Sequence, residues 1–310
     1  VTLLYYDPVF MEHQTGDHPE SPKRLLPITR HLSFLGLDAA CGRPSWEPAT
    51  RDQLEAVHSA EYIDRIEQLA GEGGGWLDAD TRVSTRSFDV ARSVSGAVCD
   101  AVDRVITGVD TTAFCLSRPP GHHATRDQAM GFCLFNHVAV AARWAIDRWN
   151  LNRILIVDFD VHHGNGTQDI FYREPAVGYF SMHRSPFYPQ TGQANEIGEG
   201  PGQGTTLNIP IKIDSDRESQ MAQFEEAVHR FADSMRPDLI LASAGFDAHE
   251  NDPVGSLGWQ TDDFAHVADV LLSVATTHCE GKLVSVLEGG YDAEALCDSI
   301  TIYLEKLVNA

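Results

Sequence analysis

The run Ile154-Leu155-Ile156-Val157 is wholly apolar, and it gives way at once to Asp158-Phe159-Asp160-Val161-His162-His163-Gly164-Asn165-Gly166. A short apolar run that ends in polar residues and glycines predicts a strand covered on both faces, here over 153–158. Runs of the same kind predict strands over 2–6, 112–117, 177–182, 206–209, 238–242 and 282–287. Helical patterns fall between most of them, over 22–35, 60–70, 87–107, 136–147, 216–235, 261–278 and 293–308. Strands alternating with helices imply an α/β fold with a mostly parallel central sheet, of about eight strands, and helices on both faces. No repeat or linker divides the 310 residues, so one domain over 1–310 is expected. The longest irregular pieces, 71–86 and 184–204, are glycine-rich, and structured loops of that length are often functional.

In open parallel sheets, ligands gather beyond the carboxyl ends of the strands. Four predicted strand ends carry polar chemistry: "RPPGHHA", "DFDVHHGNG", "AGFDAHENDPVG" and "LEGGYD". In extended chain, Asp158, Asp160 and His162 share one face while Val157, Phe159 and Val161 share the other. A carboxylate and an imidazole two residues apart suit a divalent ion; mixed oxygen and nitrogen ligation fits zinc, with iron or cobalt also compatible. Asp247, beyond another strand, supplies a third ligand, and three ligands leave the open position of a catalytic site. His249 nearby reads as a loop histidine. His122 and His123 are adjacent and point in different directions, which suits acid–base chemistry better than chelation. Gly289 and Gly290 allow a sharp turn that presents Tyr291, whose phenol can donate to a developing oxyanion. Together these pieces describe metal-assisted amide hydrolysis.

Composition narrows the partners. A net charge of −22 disfavours phosphate backbones and anionic lipid, so neither direct nucleic-acid binding nor a membrane role is expected. None of the six cysteines forms a C-x-x-C pair, which reads as reduced thiols in a reducing, cytoplasmic setting. No apolar segment approaches a membrane span, and the first residues lack the pattern of a signal peptide. Oligomeric state is left open.

The motifs "HPESPKRL", "RPPGHHA", "GFCLFNHVAVAA", "VDFDVHHGNGTQDIF", "SMHRSPFYPQTG", "GEGPGQGTTLNIPI", "AGFDAH" with "NDPVG", and "LEGGYD" resemble those of the zinc-dependent histone deacetylase family, with its bacterial relatives and the acetylpolyamine amidohydrolases. They run in family order along nearly the whole chain. The resemblance implies the arginase/deacetylase fold and one catalytic Zn2+ on Asp160, His162 and Asp247. It implies His123 as general base, His122 as its electrostatic partner with Asp158 behind it, and Tyr291 as the oxyanion donor. It also implies a structural K+ near Asp158, Asp160, His162, Ser181 and Met182, with side-chain or main-chain oxygens as ligands. Gly131, Phe132, Tyr188, Val254 and Gly289 correspond to the acyl-lysine tunnel and its surroundings, and Asp80 to a rim aspartate that grips the substrate backbone. Tyr188 stands where the family commonly has Phe. His163 reads as a supporting or packing residue.

Asn165 stands where class I members carry an aspartate behind the base, and "RPPGHHA" and "LEGGY" are likewise class II-like. Asparagine orients a ring N–H without adding charge, so His123 is expected to be less basic than His122. The activity implied is removal of acetyl or other short acyl groups from lysine in proteins or peptides. The alternative substrate is an acetylated polyamine. In the vertebrate polyamine deacetylase a glutamate meets the second ammonium, and the matching Val254 here is neutral. A binuclear ureohydrolase shares the fold but needs further aspartate ligands. A non-catalytic acyl-lysine reader would be expected to lose a histidine or the tyrosine, and all three are present.

Overall fold

A computed structural model describes residues 2–310. The strands are β1 (Leu3–Tyr5), β2 (Gly75–Trp76), β3 (Arg82–Val83), β4 (Thr112–Cys115), β5 (Ile154–Asp158), β6 (Val177–Arg184), β7 (Thr206–Ile211), β8 (Leu239–Ala244) and β9 (Leu283–Leu287). The helices are α1 (Leu25–Leu35), α2 (Arg51–Glu55), α3 (Ala60–Gly71), α4 (Ser87–Ile106), α5 (His137–Trp149), α6 (Asn165–Phe171), α7 (Arg217–Met235), α8 (Thr261–Cys279) and α9 (Ala293–Val308). Seven strands form one sheet in the order β1-β4-β9-β8-β5-β6-β7, and every neighbouring pair is parallel. The sheet therefore has one strand fewer than the count of about eight expected. The remaining extended chain, β2 and β3, pairs with itself as a small antiparallel ribbon inside the 71–86 loop.

All five residues of β5 are buried, as are all those of β8 and β9. This explains why these strands read as unbroken apolar runs rather than as alternating ones. Two series of helices cover them. In one, α1, α9, α8 and α7 pack on one another in turn and rest on β4, β9, β8, β5 and β6. In the other, α4 packs on α5, α5 on α6, and the three rest on β1, β4, β9, β8 and β6. Both series cross the same strands, which makes three layers.

Caps fix where helices begin beside the loops that matter. Asn136 accepts the amide of Ala139 at the start of α5, and Asp292 accepts that of Ala295 at the start of α9. Because α9 begins just after Tyr291, its cap also fixes the exit of that loop. Two short helices, α2 and α6, escaped the sequence reading. No helix among the described residues is long and apolar enough to cross a membrane.

Candidate active site

Strand order brings the carboxyl ends of β4, β9, β8 and β5 side by side. These four ends carry the four polar motifs, so segments far apart in sequence meet at one edge. Asp160, His162 and Asp247 offer donor atoms that all lie within 4.8 Å of one another, and all three residues are buried. His162 Nδ1 is 3.0 Å from Asp160 Oδ1 and 3.1 Å from Asp247 Oδ2. Backbone amides aim the carboxylates. Asp160 Oδ2 accepts from Gly289 at 2.8 Å, Asp160 Oδ1 from His162 at 2.9 Å, and Asp247 Oδ1 from Val161 at 2.9 Å.

The charge balance of this cluster fits a cation. Burial, reinforced by Asp160, raises the Asp247 carboxyl to about 7, because two carboxylates face each other out of water. Burial opposes ionisation of Asp160 too, yet His122 and His162 hold it well below the usual carboxylate range. Two buried carboxylates and one imidazole with converging donor atoms could hold a divalent metal. Gly289 packs so closely behind them that a Cβ there would lie 2.1 Å from Asp247 Oδ2, which explains the glycine. Gly289 thus lies at the floor of the three-donor cluster and is not among the residues of the tunnel wall.

A cavity of about 220 Å³ leads down to this cluster. Asp80, Phe132, Tyr188, Val254, Gly131, His122, His123, His162 and Tyr291 line it, together with Pro120 and Phe187, which the sequence reading did not single out. Phe187 stacks on His162 with centroids 5.1 Å apart, and the Tyr188 ring stands edge-on to His123 at 5.2 Å. Phe187 precedes Tyr188 in an irregular loop, where no periodicity tells which aromatic turns inward. Gly131 has φ +55° and touches the His123 ring, so a side chain there would displace the histidine.

The adjacent histidines have unlike partners. His122 Nδ1 lies 3.0 Å from Asp158 Oδ2, whereas His123 Nδ1 lies 2.8 Å from Asn165 Oδ1 at the start of α6. Burial favours the neutral ring for both. At His122 the carboxylates of Asp158, Asp160 and Glu288 outweigh burial and push the ring up to about 10. At His123 burial is joined by repulsion from His122 and His162, and the ring is held well below its ordinary value. The rings are 4.0 Å apart, so charge on one disfavours charge on the other.

Tyr291 faces Phe132 edge-on at 5.7 Å, and the Arg24 guanidinium lies 4.8 Å from its ring centroid. Burial pushes the phenol well up, keeping it a donor. Asp252 Oδ2 accepts the amides of Tyr291 at 2.7 Å and Asp292 at 3.4 Å, while its Oδ1 accepts those of Val254 and Gly255, each at 2.9 Å. One buried carboxylate thereby ties the Val254 turn to the Tyr291 loop. Neither Arg24 nor Asp252 was assigned a role from sequence, although both lie inside quoted motifs.

The other expected residues are placed as follows. Asp158 and Ser181 are register partners across β5 and β6, with Met182 next along the strand. His163 bonds Thr191 and Gln168 and so anchors the 184–204 loop, and His249 turns away to Thr261.

The sequence pattern of the histone deacetylase domain matches residues 18–307. The chain is 38% identical over 275 residues to a histone deacetylase-like amidohydrolase of Pseudomonas aeruginosa, covering 88% of this chain and 72% of that protein. It is 36% identical over 323 residues to the human polyamine deacetylase HDAC10, covering 99% of this chain and 48% of that one. Among solved structures, the HDA15 HD domain matches with a TM-score of 0.93 at 33% identity, over 99% of this chain and 89% of that one.

Proposed function

The chain belongs to the histone deacetylase family of amidohydrolases, and from that premise we propose that it is a zinc-dependent deacylase of acetyl- or short-acyl-lysine in proteins or peptides. The observation that carries this reading is the shape of the cavity. It is small, about 220 Å³, lined by Phe132, Phe187 and Tyr188, and reaches His162 of the three-donor cluster. Such a channel suits a thin methylene chain with an amide at its tip.

Asp160, His162 and Asp247 would hold the zinc, which would supply Lewis-acid polarisation of the substrate carbonyl. Asn165 takes the Nδ1 proton side of His123 and leaves Nε2 free to accept a proton from the attacking water. His123 then returns that proton to the departing amine. His122, paired with Asp158, keeps positive charge beside the reacting centre and so holds His123 neutral at rest. Tyr291 donates to the oxyanion. A potassium ion near Asp158, Asp160, His162, Ser181 and Met182 is the structural partner we assign by family resemblance. Asp80, at the mouth, receives the substrate's backbone N–H.

One observation favours the second substrate, an acetylated polyamine. Asp80 lines the cavity with Asp78 beside it, Asp80 half-buried and its carboxyl raised by burial and by Asp78, and a second ammonium would relieve that pairing. Turnover of acetyl-lysine, longer acyl-lysine and acetylpolyamine substrates, with metal analysis of the same protein, tests both. Faster acetyl-lysine turnover is expected. Failure to hydrolyse any of them with zinc bound rejects the deacylase reading.

A further inference from the structure

The loop that carries His122 and His123 has no hydrogen bond of its own to Tyr291, yet the two must act on the same carbonyl. Glu288 lies between them. It directly follows β9, is fully buried, and does not line the cavity. Its Oε2 accepts the amide of Gly121 at 2.6 Å and that of His122 at 3.1 Å. Its Oε1 accepts the Ser243 hydroxyl at 3.1 Å, and its own amide donates to Ala244. Its carbonyl accepts from Arg24 Nη2 at 2.6 Å, and Arg24 Nε donates to Gly290 O at 2.6 Å while the guanidinium packs on Tyr291. One residue therefore joins the ends of β4, β8 and β9.

Two consecutive amides converging on one oxygen form an anion-holding concavity, and a carboxylate there bonds about twice as strongly as a neutral amide would. The opposite side of the loop offers no slack. A Cβ at Gly121 would meet His137 N and Phe135 O at 2.8 Å. The loop is held from two sides, by the α5 entry and by Glu288.

We propose that Glu288 is a positioning residue that fixes the His122–His123 loop relative to the Tyr291 loop, so that proton transfer and oxyanion donation are aimed at one point. The proposal rests on the deacylase reading, which wild-type turnover tests separately; the ratio of variant to wild type tests Glu288. E288Q keeps the shape while replacing the carboxyl, which burial raises to about 7, by an amide that is never charged and offers one accepting oxygen instead of two. Its kcat on an acetyl-lysine peptide falls about 10- to 100-fold, with KM within about threefold and metal content unchanged, since small misplacement of catalytic groups costs that much. In a His123→Ala background, where there is no base to aim, the same change costs under about threefold. A kcat for E288Q within twofold of wild type, or an equal cost in both backgrounds, overturns the proposal. If E288Q does not fold, S243A removes one bond to Glu288 and lowers kcat about two- to fivefold at constant KM. Wild-type kcat in S243A would then overturn it.

Discussion

Two of the molecule's acid-lined hollows are separated by one turn of chain, and the larger of the two is not the one to which we assign the chemistry. The groove beside the starts of α8 and α9 has a volume of about 440 Å³ and is lined by His249, Glu250, Asp262, Asp292, Glu294 and Asp298 among others. The tunnel has about half that volume. Tyr291 faces the tunnel and Asp292, the next residue, faces the groove. In the groove Glu250, Asp262, Glu294 and Asp298 are exposed to water, which satisfies them. At the foot of the tunnel Asp160 and Asp247 are buried, and backbone amides aim their oxygens. The number of carboxylates therefore says little; depth and orientation separate a site from a solvated acidic surface.

The sharpest way to break that contrast is to neutralise carboxylates on each side. Asp247→Ala is expected to lower kcat/KM by about 10³-fold or more, because it removes one of three donors and with it carbonyl polarisation. Soaking in a strong chelator should do the same to the wild type, with activity restored by Zn2+. The triple change Glu250→Gln, Asp262→Asn, Glu294→Gln removes more charge and is expected to leave kcat/KM within about twofold, since solvated surface charges act weakly. A large loss in the triple variant would make the groove part of the site.

Tyr291 sits on the partition, so its phenol asks which side the residue serves. Tyr291→Phe keeps the ring on Phe132 and Arg24 and deletes only the donor. A kcat loss of about 10²- to 10³-fold is expected, the usual cost of one oxyanion donor. Wild-type turnover would assign Tyr291 to packing.

These residues differ in how visible they were from the sequence. Asp158, Asp160 and His162 could be read locally, because alternation along extended chain sorts them onto one face and an apolar run marks where the strand ends. The seven main strands were legible for the same reason. Glu288 and Arg24 were not, because their partners lie 167 and 264 residues away and nothing local hints at the pairing. The α6 helix is only seven residues long and begins between Gly164 and Gly166, residues of low helix propensity. Gly166 is required by packing instead, since a Cβ there would lie 2.2 Å from the Ala124 carbonyl oxygen. The β2–β3 ribbon was hidden because each strand is two residues long.

The contrast between the two tunnel histidines can be sharpened in turn. Asn165→Asp gives His123 the kind of partner that His122 already has. A carboxylate there favours the imidazolium, so the pKa of His123 rises from its depressed value. A base must be neutral to work, so activity would be lost at a higher pH than in the wild type. The acidic limb of kcat/KM is expected to move up by about one pH unit, with little change on the alkaline side. An unmoved acidic limb would show that Asn165 does not set the basicity of His123.

The smallest effect is expected at the tunnel mouth. Tyr188 is 39% exposed, with its ring edge-on to His123. Burial and the nearby Asp80 push the phenol up, so it is neutral at working pH and offers a hydrogen-bond donor rather than a charge. Tyr188→Phe keeps the aromatic wall, and kcat on an acetyl-lysine peptide should stay within about twofold. The hydroxyl and Asp80 share the mouth, where a polyamine would place its second ammonium. KM for an acetylpolyamine is therefore expected to rise about two- to threefold while KM for the peptide hardly changes, in line with the modest worth of one exposed hydrogen bond. Equal shifts for both substrates would mean that the mouth does not distinguish them, whereas a tenfold loss of kcat would place the hydroxyl at the reacting carbonyl and not at the rim.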